Sequence, residues 1–292
     1  IFPELVTSDP IIVVDAWIND KNEKQTIFLS TTQDYLDSSS VELITGANII
    51  VEDDNGNTFE FIEETDGNYV WYPNSQDTII GIVGTNYNLK IEYENKIIEA
   101  SSTMNRTSTI DSINFVEGEF PDVGSYYAEF WSQENIGFGD AYWIKAWKNG
   151  ELLASSKEII ACIDAGATSM GIEIDGGTFI PPIRRSITQF EKDDNDDFLS
   201  PFKFGDSLYV EIHSITLEAF YFLYMAKIQI NRRGGFSELF SVSLANLPTN
   251  IVIANNTNIP ILGFFCVSSV SGKTNILDED ELNRIEKAKR KW

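Results

Sequence analysis

Glu211 and His213 stand two residues apart in the run YVEIHS, Tyr209–Ser214. On an extended strand alternate side chains share a face, so the two can touch. A carboxylate beside an imidazole can shuttle a proton near neutral pH. The plainer role for the same spacing is a strand histidine held by a neighbouring hydrogen bond, and it is the role favoured here. His213 is the chain's only histidine, so a histidine-rich metal site is excluded and no serine triad is read around it. Paired carboxylates can also hydrolyse glycosides. Among 45 acidic residues, however, some pair always falls at a suitable separation. The pattern therefore selects no residues, and no catalytic residue is assigned.

Aromatic side chains suggest binding instead. In SYYAEFWS, alternation groups Tyr127, Glu129 and Trp131; in DAYWIKAWK it groups Trp143, Lys145 and Trp147. If the two segments form a hairpin with Glu129 opposite Lys145, Trp131 faces Trp143 and Tyr127 faces Trp147. Four rings around one ion pair would make a sugar- or peptide-binding platform. The competing reading is a face packed against other parts of the chain, since cross-strand aromatic pairs stabilise sheets in any case.

Metal binding has one candidate. DDNDD offers Asp193, Asn195 and Asp197 as oxygen ligands suited to calcium. Counted from Asp193, the positions where an EF-hand needs glycine and glutamate hold Phe198 and Phe204. The acidic run thus reads first as a solvated loop, and no cofactor is expected beyond that weak calcium option.

The elements that must position these groups are mostly strands. IIVVDAWI and QTIFLSTT read as buried strands. ANIIVED and NTFEFIEE flank Asn55-Gly56, a dipeptide that favours a type I′ hairpin turn. In NYNLKIEYE, Tyr87, Leu89, Ile91 and Tyr93 point one way, and KIIEASSTM returns after Asn95. Residues 1–104 are read as an antiparallel, immunoglobulin-like β-sandwich, and 105–292 as a larger β-rich domain. That second domain carries a buried helix over 215–233, with Leu217, Phe220, Tyr221, Tyr224 and Ile228 on one face. Arg232, Arg233 and Gly234 would stop it. A surface helix over 278–291 begins with Asp278 as cap, Glu281 closing a capping box and Leu282 in a staple with Leu277; its stripe is Leu282, Ile285 and Trp292.

Composition narrows the function classes. The 292 residues carry a formal charge of −24, and 42% are hydrophobic. A core is affordable, but phosphate-binding basic surface is not, so nucleic acid is excluded as a partner. Acidic protein is also repelled by anionic headgroups, so membrane attachment requires a lipid or a protein partner. Cys162 and Cys266 sit in apolar runs and read as buried free thiols. The chain starts at Ile1 rather than Met, for which signal-peptide removal and recombinant trimming are the two explanations.

The order of PIIVVDAWI, GANIIVEDDNGNTFEFIEETDGNYV, NYNLKIEYENKIIEASSTM, GDSLYVEIHSI, NLPTNI and ILGFFCVSSV resembles a family of Bacteroidota lipoproteins, the domain of unknown function numbered 4249. Its N-terminal part resembles the prealbumin-like accessory sandwich. The resemblance implies export, an acylated N-terminal cysteine absent from this chain, and residence on the cell-surface side of the outer membrane beside a TonB-dependent transporter. It supplies no catalytic residues. Such bacteria O-glycosylate Asp-Ser/Thr-apolar triplets, which here nominates Thr78, Ser112 and Ser207. The expected function is a non-enzymatic accessory or ligand-capture subunit of such a transporter. A carbohydrate-active enzyme using paired carboxylates, or a structural adaptor, are the alternatives.

Overall fold

A computed structural model describes residues 9–33, 40–74, 80–118, 124–155, 159–166, 175–188, 199–231, 246–256 and 258–290. Strands dominate it, and they fall into two compact units, Ile1–Asn105 with Val242–Ser269, and Arg106–Ser241 with Val270–Trp292. The linear reading assigned the whole of 242–269 to the second domain; that segment belongs to the first unit.

Unit 1 holds β1 (Ile12–Asn19), β2 (Gln25–Thr31), β3 (Asn48–Asp53), β4 (Thr58–Thr65), β5 (Asn68–Trp71), β6 (Asn86–Tyr93) and β7 (Lys96–Thr103), and the later strands β14 (Ile251–Ile253) and β15 (Leu262–Ser268). They form one sheet ordered β14-β7-β6-β3-β4-β5-β2-β1-β15. The period-two pattern is one-sided in β3, β4 and β6, while β5 and β15 are buried on consecutive residues. Val51, Phe61, Tyr87, Leu89 and Ile91 are buried, while Glu52, Glu60, Lys90 and Glu92 face out. Burial of each such large side chain contributes about 1.5–3 kcal/mol. Strands from both ends of the order share this one core, so the sheet folds over itself as a sandwich. Asn250, in the NLPTNI run, ties the ends together. Its Nδ2 donates to Ser101 O (3.0 Å) and Phe265 O (2.8 Å), and its Oδ1 accepts from Phe265 N (3.1 Å).

The β3–β4 hairpin forms, but not through a type I′ turn. Asn55 is not left-handed; Gly56 alone is, at φ 80°. The Asp53 carboxylate captures Asn55 N and Asn57 N, both at 2.9 Å, and the Asn57 side chain at 2.8 Å. Those three bonds favour a wider aspartate-capped loop over the two-residue alternative. Between β6 and β7 the two-residue connection puts Glu94 at φ 51°.

Unit 2 holds β8 (Ile110–Glu117), β9 (Tyr126–Ser132), β10 (Ala141–Lys148), β11 (Glu151–Leu152), β12 (Ile160–Ile163), α1 (Pro181–Arg184), β13 (Ser207–Ile215), α2 (Leu217–Ile230), β16 (Val270–Ile276) and α3 (Glu279–Lys289). A five-stranded sheet runs β11-β10-β13-β16 with β12 also on β10, and β8 pairs β9 as a separate ribbon. Ile113, Phe115, Ala128 and Phe130 of the ribbon share a core with Tyr142, Ile144, Val210 and Ile212 of the sheet.

Helix α2 is capped by Thr216, whose Oγ1 accepts from Ala219 N at 3.2 Å. It buries Ala219, Phe220, Leu223 and Ala226. Leu217, Tyr221, Tyr224 and Ile228, expected on its buried face, are instead exposed. The small Ala219 and Ala226 permit the close approach, so the contact face is turned away from the larger stripe. The expected stop at Arg232–Gly234 lies outside the described residues. In α3, Asp278 caps as expected, accepting from Glu281 N at 3.0 Å. Glu281 does not close a capping box; its carboxylate accepts from Phe115 N of β8 at 2.8 Å, and Ile285 is buried beneath it. This helix is therefore docked on the core of its own unit. Trp292 lies outside the described residues. Both cysteines are free and buried, as expected.

Among the described glycines of unit 1, Gly263 of β15 makes the tightest approach. It sits at φ 99°, and a Cβ there would lie 1.9 Å from Val14 O. Gly56 is left-handed in open space. In urea unfolding, Gly56→Ala is expected to cost about 1–2 kcal/mol. Gly263→Ala should cost more than about 3 kcal/mol, because strand separation adds to the conformational strain.

Candidate functional site

The expected β9–β10 hairpin does not form. β9 pairs β8, with Glu129 opposite Asn114. β10 pairs β13 along its full length, with Lys145 opposite Glu211, Trp143 opposite His213 and Trp147 opposite Tyr209. The alternation within each strand is as read, but the partner of Lys145 comes from 66 residues further along the chain. Because ribbon and sheet pack through their inner faces, Tyr127, Glu129 and Trp131 lie on one side of the unit 2 core, and Trp143, Lys145 and Trp147 on the other. The four-ring platform is thus corrected to two separate aromatic clusters.

On the ribbon side, Glu129 is nearly fully buried although it faces away from the core. It accepts from Trp131 Nε1 (3.1 Å), Arg184 Nε (3.3 Å) and Arg185 Nε (3.1 Å). The Arg184 guanidinium lies 3.8 Å from the centre of the Trp131 ring. Pro181 at the first turn starts α1 and so aims Arg184 and Arg185 at the ribbon. Charge and ring are satisfied within the chain, so this cluster holds α1 to β9.

On the sheet side, Trp143, Lys145, Trp147 and Tyr209 are half-buried. Lys145 Nζ stands 3.9 Å from the Trp143 ring centre, and Trp147 lies 5.3 Å from Tyr209. Glu211 and His213 are almost inaccessible. Glu211 accepts from Tyr209 Oη at 2.7 Å with one oxygen and meets His213 Nε2 at 2.8 Å with the other. The Tyr–Glu–His string fixes the orientation of all three groups. Gly272 on β16 leaves room for the Tyr209 ring: a Cβ there would be 2.3 Å from the hydroxyl.

Other sequence candidates are dispersed. Asp193, Asn195 and Asp197, and Thr78, lie outside the described residues. Ser112 is on β8 opposite Trp131, and Ser207 opens β13. No group of three metal-ligating side chains occurs among the described residues.

One group was missed. Glu134 is 3% exposed, and neither carboxylate oxygen has a hydrogen bond within normal length. Burial pushes its pKa up to about 7, and the charges of Asp164 and Asp140 push the same way. The Tyr142 hydroxyl and Ala165 amide are near enough to oppose this in part, without completing a bond. Burial raises the Tyr142 and Cys162 pKa values as well, with Glu134 contributing to both. The signal in the sequence was the alternation of β9 carried one step on: Ala128, Phe130 and Ser132 face inward, and Glu134 follows them.

The family model described as Domain of unknown function (DUF4249) matches residues 1–274. The chain belongs to that family. The match spans both units, so the β-sandwich and the unit bearing the clusters are parts of the one family domain. A search of curated proteins returns no match.

Two measurements probe these clusters. Glu129→Ala leaves Arg184 buried without its carboxylate, and should lower unfolding free energy by about 3 kcal/mol; the pair to the exposed Arg185 contributes little. Glu134 has the opposite sign of pH dependence from a paired acid. Between pH 4.5 and about 7 the folded chain keeps a proton that the unfolded chain releases. Stability contributed by Glu134 should therefore fall as pH rises through that window, by up to about 3 kcal/mol. Denaturant titrations from pH 5 to 8 should show this loss, and Glu134→Gln should reduce it.

Proposed function

We propose that this protein is a lipid-anchored accessory subunit on the cell-surface side of the outer membrane. In this reading it works without catalysis and captures ligand for a TonB-dependent transporter. The observation that supports ligand capture is the half-open row of Trp143, Lys145, Trp147 and Tyr209 along β10 and β13. Rings on one sheet face offer stacking area to a sugar or peptide, and Lys145 adds a cation beside them. The Tyr209–Glu211–His213 string on the same face, with Glu211 and His213 buried, holds that row in place. The formal charge of −24 fits a protein kept at the surface by an anchor and a protein partner rather than by headgroups. The transporter partnership and the anchor rest on the family resemblance.

The test is native purification from the source membrane, with identification of the proteins and small molecules that remain bound. A transporter should co-purify. The Trp143→Ala/Trp147→Ala double variant should lose bound ligand by more than tenfold, with a melting temperature only a few degrees lower. A collapse in melting temperature, or ligand retention equal to wild type, would remove the binding role. The paired-carboxylate enzyme reading would instead show as chemical turnover of the bound ligand.

A further inference from the structure

We infer that the β9–β10 connection, Gln133–Asp140, is a proton-controlled clasp, closed while the Glu134 carboxyl is neutral and opened when it ionises. The connection closes over Glu134 through a defined set of bonds. Glu134 N donates to Gly177 O (2.9 Å), Gln133 Nε2 to Gly176 O (3.2 Å), Gly137 N to Asp175 Oδ1 (2.7 Å) and Gly139 N to Asp164 Oδ1 (3.1 Å). Arg106 grips the far end, with Nη2 on Asp140 Oδ2 (2.7 Å) and on Gly137 O (2.8 Å). At the tip, Ile136 is 82% and Phe138 66% exposed.

Beneath this sits a carboxyl with no hydrogen bond to either oxygen. Buried polar groups are nearly always paired, so an orphan pair of oxygens needs a reason. A neutral carboxyl tolerates the site far better than an anion does. The groups around it favour the neutral form. Asp140 comes from its own segment and is already engaged by Arg106. Asp164 adds negative charge from the turn after β12, with Asp175 beyond it. Tyr142 of β10 and Cys162 of β12 are neutral. The cation of the cluster among the described residues, Arg106, belongs to Asp140. Ionisation would place a second uncompensated negative charge under a connection held by few bonds, and the relief available is to lift that connection and admit water. The clasp bonds end on Gly137 and Gly139, at φ 124° and 95°, where glycine accommodates a change of backbone direction. The pKa displacement of Glu134 puts the transition in the neutral range.

The test is hydrogen exchange of the full chain across pH 5.5 to 8.5, corrected for base catalysis. Peptides covering 133–140 and 175–179 should lose protection at least tenfold more than the strands do as pH rises. Glu134→Gln should hold them closed at every pH. Asp164→Asn, whose side chain still accepts from Gly139 and suits the left-handed backbone at that position (φ 45°), should shift the transition in the opposite sense to added charge, to higher pH in no case and to a more acidic midpoint as repulsion is relieved. Protection that is independent of pH in wild type, a Glu134→Gln profile parallel to wild type, or an unmoved midpoint in Asp164→Asn would each overturn the clasp.

Discussion

Parallel pairing of β15 with β1 is the constraint on which unit 1 depends. The seven-position register from Val13–Leu262 to Asn19–Ser268 brings the chain back after a long excursion through unit 2. Gly263 makes it possible, because any side chain there would enter the Val14 backbone. With β15 seated, Phe265 and Val267 complete a core that the first seven strands leave open at one side. Asn250 then satisfies Phe265 main-chain groups and Ser101 at once, sparing the sheet ends an unpaired buried edge.

Unit 2 follows the same logic around β10. Its central position gives it β11, β12 and β13 as neighbours, so its two faces meet different demands. Tyr142, Ile144 and Ala146 fill the core, while Trp143, Lys145 and Trp147 share the opposite face with Tyr209, Glu211 and His213. The buried Glu211 carboxylate is met on that face by the Tyr209 hydroxyl and the His213 imidazole, with Lys145 opposite it in the register. On the other side of the core, Arg184 and Arg185 pair with Glu129. Glu134 has no ion pair among the described residues, and burial raises its proton affinity into the neutral range. The buried glutamates of this unit thus differ in their surroundings: Glu129 meets Arg184 and Arg185, Glu281 meets Arg284, Glu211 meets Tyr209 and His213, and Glu134 meets none of these.

Much of this was legible in the residues. Period-two patterns located the strands and their inward faces, and the Glu211–His213 contact followed from spacing alone. The family resemblance rested on ordered segments such as NLPTNI, and the structure gives that segment a task through Asn250. Where reading by neighbours failed, the cause was a competing partner. Asp53 displaced the type I′ turn, Phe115 drew Glu281 out of its capping box, and small Ala219 and Ala226 turned α2 so that Tyr221 and Tyr224 face out.

The sequence by itself determined the class of fold, the inward face of alternating strands such as β6 and the acidic composition, because alternation and charge are properties of contiguous residues. Only the tertiary structure decided which strands meet. Backbone hydrogen bonds carry no residue identity, so β10 pairs with β9 or β13 according to the fit of the whole sheet. That choice put the two aromatic triplets on opposite sides of one core and set Lys145 opposite Glu211.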